Sequence, residues 1–183
     1  MKKTIKTNLF FVALLLTIVA TTTQAQLSPS SQPRYKDMIL ENPDAEADIK
    51  VVSDFVNSVV SGDLDKAKSL LSANYKGHGP ALTDSVTSEQ TISAWKENYK
   101  MQSNRKVGFV AETFRVASGN LKGDWVAVWG DYSFTQGDKN LSFPFQYTAR
   151  VANAKIDTDR IYYDRLSVLQ TLGYTLTPPK MSK

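Results

Sequence analysis

The run from Lys155 to Gly173, KIDTDRIYYDRLSVLQTLG, changes its hydrophobic period halfway. Ile156 to Tyr163 mixes polar and β-prone residues, whereas Leu166, Leu169 and Leu172 are helix-spaced and stopped by Gly173. The pattern predicts a strand that turns directly into a short helix. Asp164 sits at the joint, where a carboxylate accepts from the free N–H groups of a helix start.

The N-terminus is of a different kind. Lys2, Lys3 and Lys6 precede an unbroken apolar run, Leu9 to Ala20, and Thr21 to Ala25 supplies small and polar residues before Gln26. Residues 1–25 therefore read as a secretory signal peptide cut near Ala25, leaving an exported protein, periplasmic or secreted, with no stable membrane anchor. Of the formal net charge of +4, three charges are those lysines, so the mature chain carries about +1. With no like-charged stripe either, that balance argues against a nucleic-acid partner. The sequence has no Cys and one His, which removes thiolate chemistry and His-rich metal sites. Residues 26–43, with Pro29, Pro33, Ser and Gln, read as a linker, 44–178 as one domain and 179–183 as a tail.

Just before that domain, Asn42-Pro43 offers a helix cap followed by Pro at the first helical position. From Asp44 to Ser61, Ile49, Val52, Phe55, Val56, Val59 and Val60 recur at three- and four-residue spacing, and Gly62 ends the helix. Asp63 caps a second helix with Leu64, Ala67, Leu70 and Leu71 on one face, so the pair folds back on itself. The stretch NYKGHGPALTDSV contains Gly77, Gly79 and Pro80, which predicts a loop carrying His78. Thr87 and Gln90 form a capping box that opens a third helix running to about Gln102, with Ile92, Trp95 and Tyr99 on its face.

After Gln102 the texture turns to β: Val107–Ala117, Trp125–Thr135 and Leu141–Ala152 are separated by Gly119-Asn120 and Gly137-Asp138, as antiparallel neighbours require. In the last of these strands Leu141, Phe143, Phe145, Tyr147, Ala149 and Val151 alternate with polar residues and belong toward the helices. Gly130 is the expected site of a bulge or bend. Three helices, then about four strands and a terminal helical turn, make an α+β fold. N-terminal helices pack on a strongly curved, mainly antiparallel sheet, which forms a cone with one pocket.

Several stretches resemble the SnoaL-like proteins of the nuclear transport factor 2-like superfamily, including ester-cyclase-like and polyketide-cyclase relatives. The ending Asp164 … Gln170-Thr171-Leu172-Gly173 is similar to that family's close. Tyr75-Lys76-Gly77-His78-Gly79-Pro80 looks like its Tyr-x-x-His-x-Pro loop, and Val128-Trp129-Gly130-Asp131-Tyr132 looks like its central strand. The resemblance covers about residues 45 to 176. It implies an apolar pocket for a small-molecule ligand or substrate, chemistry without a cofactor or metal, and a homodimer through the exposed sheet face.

Such chemistry needs a base whose pKa burial has raised and a donor that stabilises an enolate. The candidates are Asp164 as general base or acid, His78 as its partner or oxyanion donor, and Asp131 as a second acid/base. Tyr75, Tyr132, Gln146 and Tyr147 are the hydrogen-bonding ligand contacts, and Trp95 and Trp129 the aromatic ones. Each has a structural alternative: Asp164 as a helix cap, His78 as a loop residue in solvent, Asp131 as a solvated carboxylate, and Trp95, Trp125 and Trp129 as core. Asp157, Asp159 and Asp164 lack the Gly and closing Glu of a calcium loop, and no nucleophile elbow or phosphate loop is present. The expectation is an exported ligand-binding domain of cyclase or isomerase type; the alternative is a non-catalytic oligomerisation or protein-interaction domain whose cone is filled by its own side chains.

Overall fold

The structure, a computed structural model, describes residues 34–82 and 84–177. The expected signal peptide, the first part of the linker and the tail beyond residue 177 lie outside the described residues. From Arg34 the expected linker holds a helical turn, α1 (Tyr35–Met38), and a two-residue strand, β1 (Ile39–Leu40).

Helix α2 (Ala45–Ser61) buries Val52, Phe55, Val56, Val59 and Val60, the face set by its three- and four-residue spacing. Its start differs from the expected Asn42 cap. Asn42 is buried and accepts from the Asp44 N–H at 2.9 Å, while its amide donates to Asp48 Oδ2 and Thr113 Oγ1, both at 2.8 Å. Asn42 thus ties the helix to the sheet behind it. Gly62 closes α2 at φ 105°, a left-handed geometry suited to Gly. Asp63 caps α3 (Leu64–Ser69) by accepting from the Lys66 N–H.

Helix α3 stops before Leu71, which begins β2 (Leu71–His78); the loop expected over this stretch is therefore a strand for its first part. The backbone of β2 finds partners on both sides, parallel with β7 (Lys155–Tyr162) and antiparallel with the short β3 (Ser85–Val86). Gly77 is no breaker here, because it relieves crowding beneath a tyrosine.

Helix α4 (Ser88–Met101) opens with the Thr87–Gln90 capping box. Three long strands follow, β4 (Ser103–Val116), β5 (Gly123–Gln136) and β6 (Lys139–Ala152), and α5 (Arg165–Thr171) closes the described chain. The seven strands lie in the order β1-β4-β5-β6-β7-β2-β3, antiparallel except for β2 with β7. Val126, Val128, Tyr132 and Phe134 of β5 and Leu141, Tyr147, Ala149 and Val151 of β6 face α2 and α4 in one core.

The pairing of β5 runs unbroken from Asp124 to Gln136, so Gly130 carries no bulge. Instead, a Cβ at Gly130 would come within 2.1 Å of the Gly108 carbonyl, so the curved sheet leaves no room there for a side chain. The bulge falls in β7, where Arg150 pairs with Thr158 but the next residue, Val151, pairs with Ile156. It resets which residues of β7 face inward: Ile156 and Asp159, three apart, are both buried.

Candidate functional site

Between the helices and the concave sheet lies a cavity of about 460 Å³, walled mainly by apolar and aromatic side chains. Phe55, Val56 and Val59 come from α2, Thr91 and Trp95 from α4, Tyr132 and Phe134 from β5, Phe143, Phe145 and Tyr147 from β6, and Val168 and Leu172 from α5. Its polar centre is Asp159. The β7 bulge turns this carboxylate inward, where it is 4% exposed and accepts from Tyr75 Oη at 2.5 Å and Tyr147 Oη at 2.7 Å, both at Oδ2.

The two tyrosines reach it from either side. Tyr75 points in from β2, and its hydroxyl passes over Gly77, where an added Cβ would meet Tyr75 Oη at 2.4 Å and Asp159 Oδ1 at 3.0 Å. Tyr147 comes from β6, its ring stacked on Phe55 with centroids 6.0 Å apart. Burial pushes the Asp159 carboxyl above the usual carboxylate range; the two phenol bonds and the His78 backbone N–H act in the opposite direction without cancelling it. Burial also raises both phenols, and the Asp159 charge adds to this, so they remain protonated donors at neutral pH.

This arrangement, a helix-backed curved sheet enclosing one cavity, recurs among solved structures. A candidate SnoaL-like polyketide cyclase from Jannaschia sp. CCS1 superimposes with a TM-score of 0.60 at 13% identity, covering 74% of this chain and 98% of that one. A protein of ketosteroid isomerase-like fold from Catenulispora acidiphila, in complex with trimethylamine, gives 0.56 at 19% identity, over 70% and 98% of the two chains. An epoxide hydrolase-like protein from M. tuberculosis gives 0.51 at 17% identity, over 71% and 92%. The fold is the SnoaL-like, nuclear transport factor 2-like fold. A scan of the sequence against protein-family models finds no match, and a search of curated proteins finds none.

On this SnoaL-like frame the residues expected from sequence separate into two groups. Tyr75, His78, Trp95, Tyr132 and Tyr147 line the cavity. His78, the last residue of β2, is exposed at the rim, and Tyr132 donates to Gln102 Oε1 at 2.8 Å. Asp164, Asp131, Trp129 and Gln146 do not line it. Asp164 is an exposed cap on α5: it accepts from the Ser167 N–H at 2.9 Å and from the Ser167 hydroxyl at 2.5 Å, bonds that hold its carboxyl below the usual range. Alternation along β5 and β6 puts Trp129, Asp131 and Gln146 on the outer face, with Trp129 40% exposed.

Asp159 was not among the expected site residues. Strict alternation from Ile156 places it on the outer face, and only the bulge reverses this. The available signal was an acidic residue in a β-prone run followed by Ile161, an inward residue of the same parity. Thr91 also escaped notice, although its Oγ1 is buried with no hydrogen-bond partner among the described residues and it lines the cavity. On the opposite side of β7, Asp157 and Thr158 face a separate polar cleft of about 320 Å³, where Arg150 is bonded to Asp157.

Proposed function

We propose that the protein binds a small organic molecule in the SnoaL-like cavity and that Asp159 exchanges a proton with it without a cofactor, the chemistry of a cyclase or isomerase. The observation that carries this reading is the Asp159–Tyr75–Tyr147 cluster, a buried carboxylate with a raised pKa facing an apolar cavity. Both phenols donate to Oδ2, and the carboxylate lies in the lining of the cavity. For a carbonyl compound, the C–H bond next to the carbonyl breaks, its electron pair moves onto the carbonyl oxygen, and the proton passes to Asp159, which returns it at another atom. The Thr91 hydroxyl, which lines the cavity, is a donor for the developing enolate oxygen. The trimethylamine complex of the Catenulispora protein supports reading this fold as a host for small organic molecules.

The cavity also favours a ligand-binding domain over an oligomerisation domain with a filled cone. The test is exchange of α-hydrogens of a panel of cyclic ketones and β-keto esters in D2O, followed by NMR. Asp159→Asn is expected to slow exchange by about 10²–10⁴-fold. Exchange at the wild-type rate in that variant sinks the assignment.

Two further proposals concern the setting. Export rests on Lys2, Lys3, Lys6 and the run Leu9–Ala20; N-terminal sequencing of the protein from an exporting cell is expected to begin at Gln26, and an intact N-terminus in the cytoplasm refutes it. A homodimer through the outer sheet face rests on the exposed apolar residues Val110, Trp129 and Tyr162, which lie in one row across β4, β5 and β7.

A further inference from the structure

Asp159 and Asp48 are the buried acids among the described residues, and they are compensated differently. Asp48 accepts from the Asn42 amide, a structural bond between α2 and the sheet. Asp159 is bonded by two phenols and the His78 backbone N–H, and no Lys or Arg of the described residues pairs with it. A carboxylate kept this far from a cation is costly to ionise inside an apolar space unless something that enters the space is positive.

We infer that the ligand is an organic cation, a protonated or quaternary ammonium whose nitrogen sits against the Asp159 carboxylate and whose substituents lie on the aromatic walls. The inference rests on the reading of the cavity as a ligand site and adds a charge to its ligand. Two features beside the carboxylate support it. Trp95, Tyr132, Phe143 and Tyr163 line the cavity, so its walls are rich in the aromatic rings that attract ammonium groups.

The second feature is that Arg165, the one Lys or Arg lining the cavity among the described residues, is already paired with another carboxylate. The groups that face Asp159 are Tyr75 and His78 from β2 and Tyr147 from β6. The α2 and α4 residues that line the cavity are uncharged, and Arg165 at the α5 end is paired with Asp84 at 3.4 Å. His78 is exposed at the rim and makes no side-chain hydrogen bond to Asp159 among the described contacts. The ligand is therefore the group placed to balance the buried charge.

The proton balance gives a signature. When a quaternary ammonium binds the protonated acid, the O–H bond of Asp159 breaks, its electron pair stays on the carboxylate, and the proton leaves to solvent. Cation affinity therefore rises with pH through the Asp159 titration. A neutral ligand of the same shape shows no such rise.

Ligand-observed NMR in citrate–phosphate buffer, with the full chain at pH 4 and pH 8, compares benzyltrimethylammonium with its uncharged carbon isostere, neopentylbenzene. The expected result is a cation that binds about tenfold tighter than the isostere at pH 8, binds more weakly at pH 4, and loses its preference in Asp159→Asn. An isostere that binds as tightly as the cation at pH 8 overturns the inference while leaving the cavity a ligand site. Failure of both probes to bind overturns the ligand-site reading with it. The wild-type comparison at two pH values needs no variant to fold.

Discussion

A carboxylate held by two phenols in an apolar cavity makes stability depend on pH in the opposite sense to an ion-paired one. Asp54, bonded to Lys50 and Lys66, and Asp164, bonded to Ser167, have carboxyls held below the usual range, so their contribution is lost as acid protonates them. Asp159 titrates above its unfolded value, near 3.9 for a free Asp. Between those two values the folded chain binds more protons at this site than the unfolded one, so its contribution is fully present below the unfolded pKa and falls as pH rises through the folded one. Asp159→Asn removes that dependence and no other. The stability of the wild type minus that of the variant, from urea unfolding between pH 4 and pH 8, is expected to decline by about 1.4 kcal/mol for each pH unit separating the two pKa values and then level off. A difference that is flat or grows with pH contradicts a raised pKa at Asp159.

At the scale of elements, the helices were legible because each of their boundaries is a local event. Gly62 in a left-handed conformation, Asp63 and Asp164 as caps, and the Thr87–Gln90 box are all decided within four residues, and the apolar period does the rest. The long strands β5 and β6 were legible for the same reason, since alternation continues without a break over Leu141 to Val151. What escaped was decided by partners distant in sequence. The strand β2 exists because β7 offers it a parallel edge more than 80 residues away, and Gly77 looks like a breaker until Tyr75 and Asp159 are seen to need its missing Cβ. The bulge in β7 leaves no mark in composition, yet it decides which carboxylate reaches the cavity. A one-residue change of phase in β7 turns Asp159 inward, whereas Tyr147, given by uninterrupted alternation, and Tyr75, given by the family resemblance, are expected ligand contacts and both line the cavity.

At the scale of the whole molecule, one sheet face is spent on the core and cavity and the other is left outward. On that outer face Val110, Trp129, Gln146 and Tyr162 are register partners in a continuous row across β4, β5, β6 and β7. Val110 is 67% exposed, Trp129 40% and Tyr162 54%, so three large apolar side chains line up in solvent across the middle of the sheet. A row of this kind is the feature that a second sheet covers, and Trp is the residue type on which such contacts most often depend. The proposed homodimer therefore centres on Trp129, with Val110 and Tyr162 flanking it. Sedimentation of the chain lacking residues 1–25 is expected to show a dimer. Trp129→Glu, which places a charge in the middle of the covered row, is expected to weaken it at least about tenfold. Because Trp129 points away from the cavity, the variant is also expected to keep its ligand affinity, and a wild-type chain that sediments as a monomer at about 100 µM, well above the Kd of a stable homodimer, removes the dimer while leaving the cavity chemistry untouched.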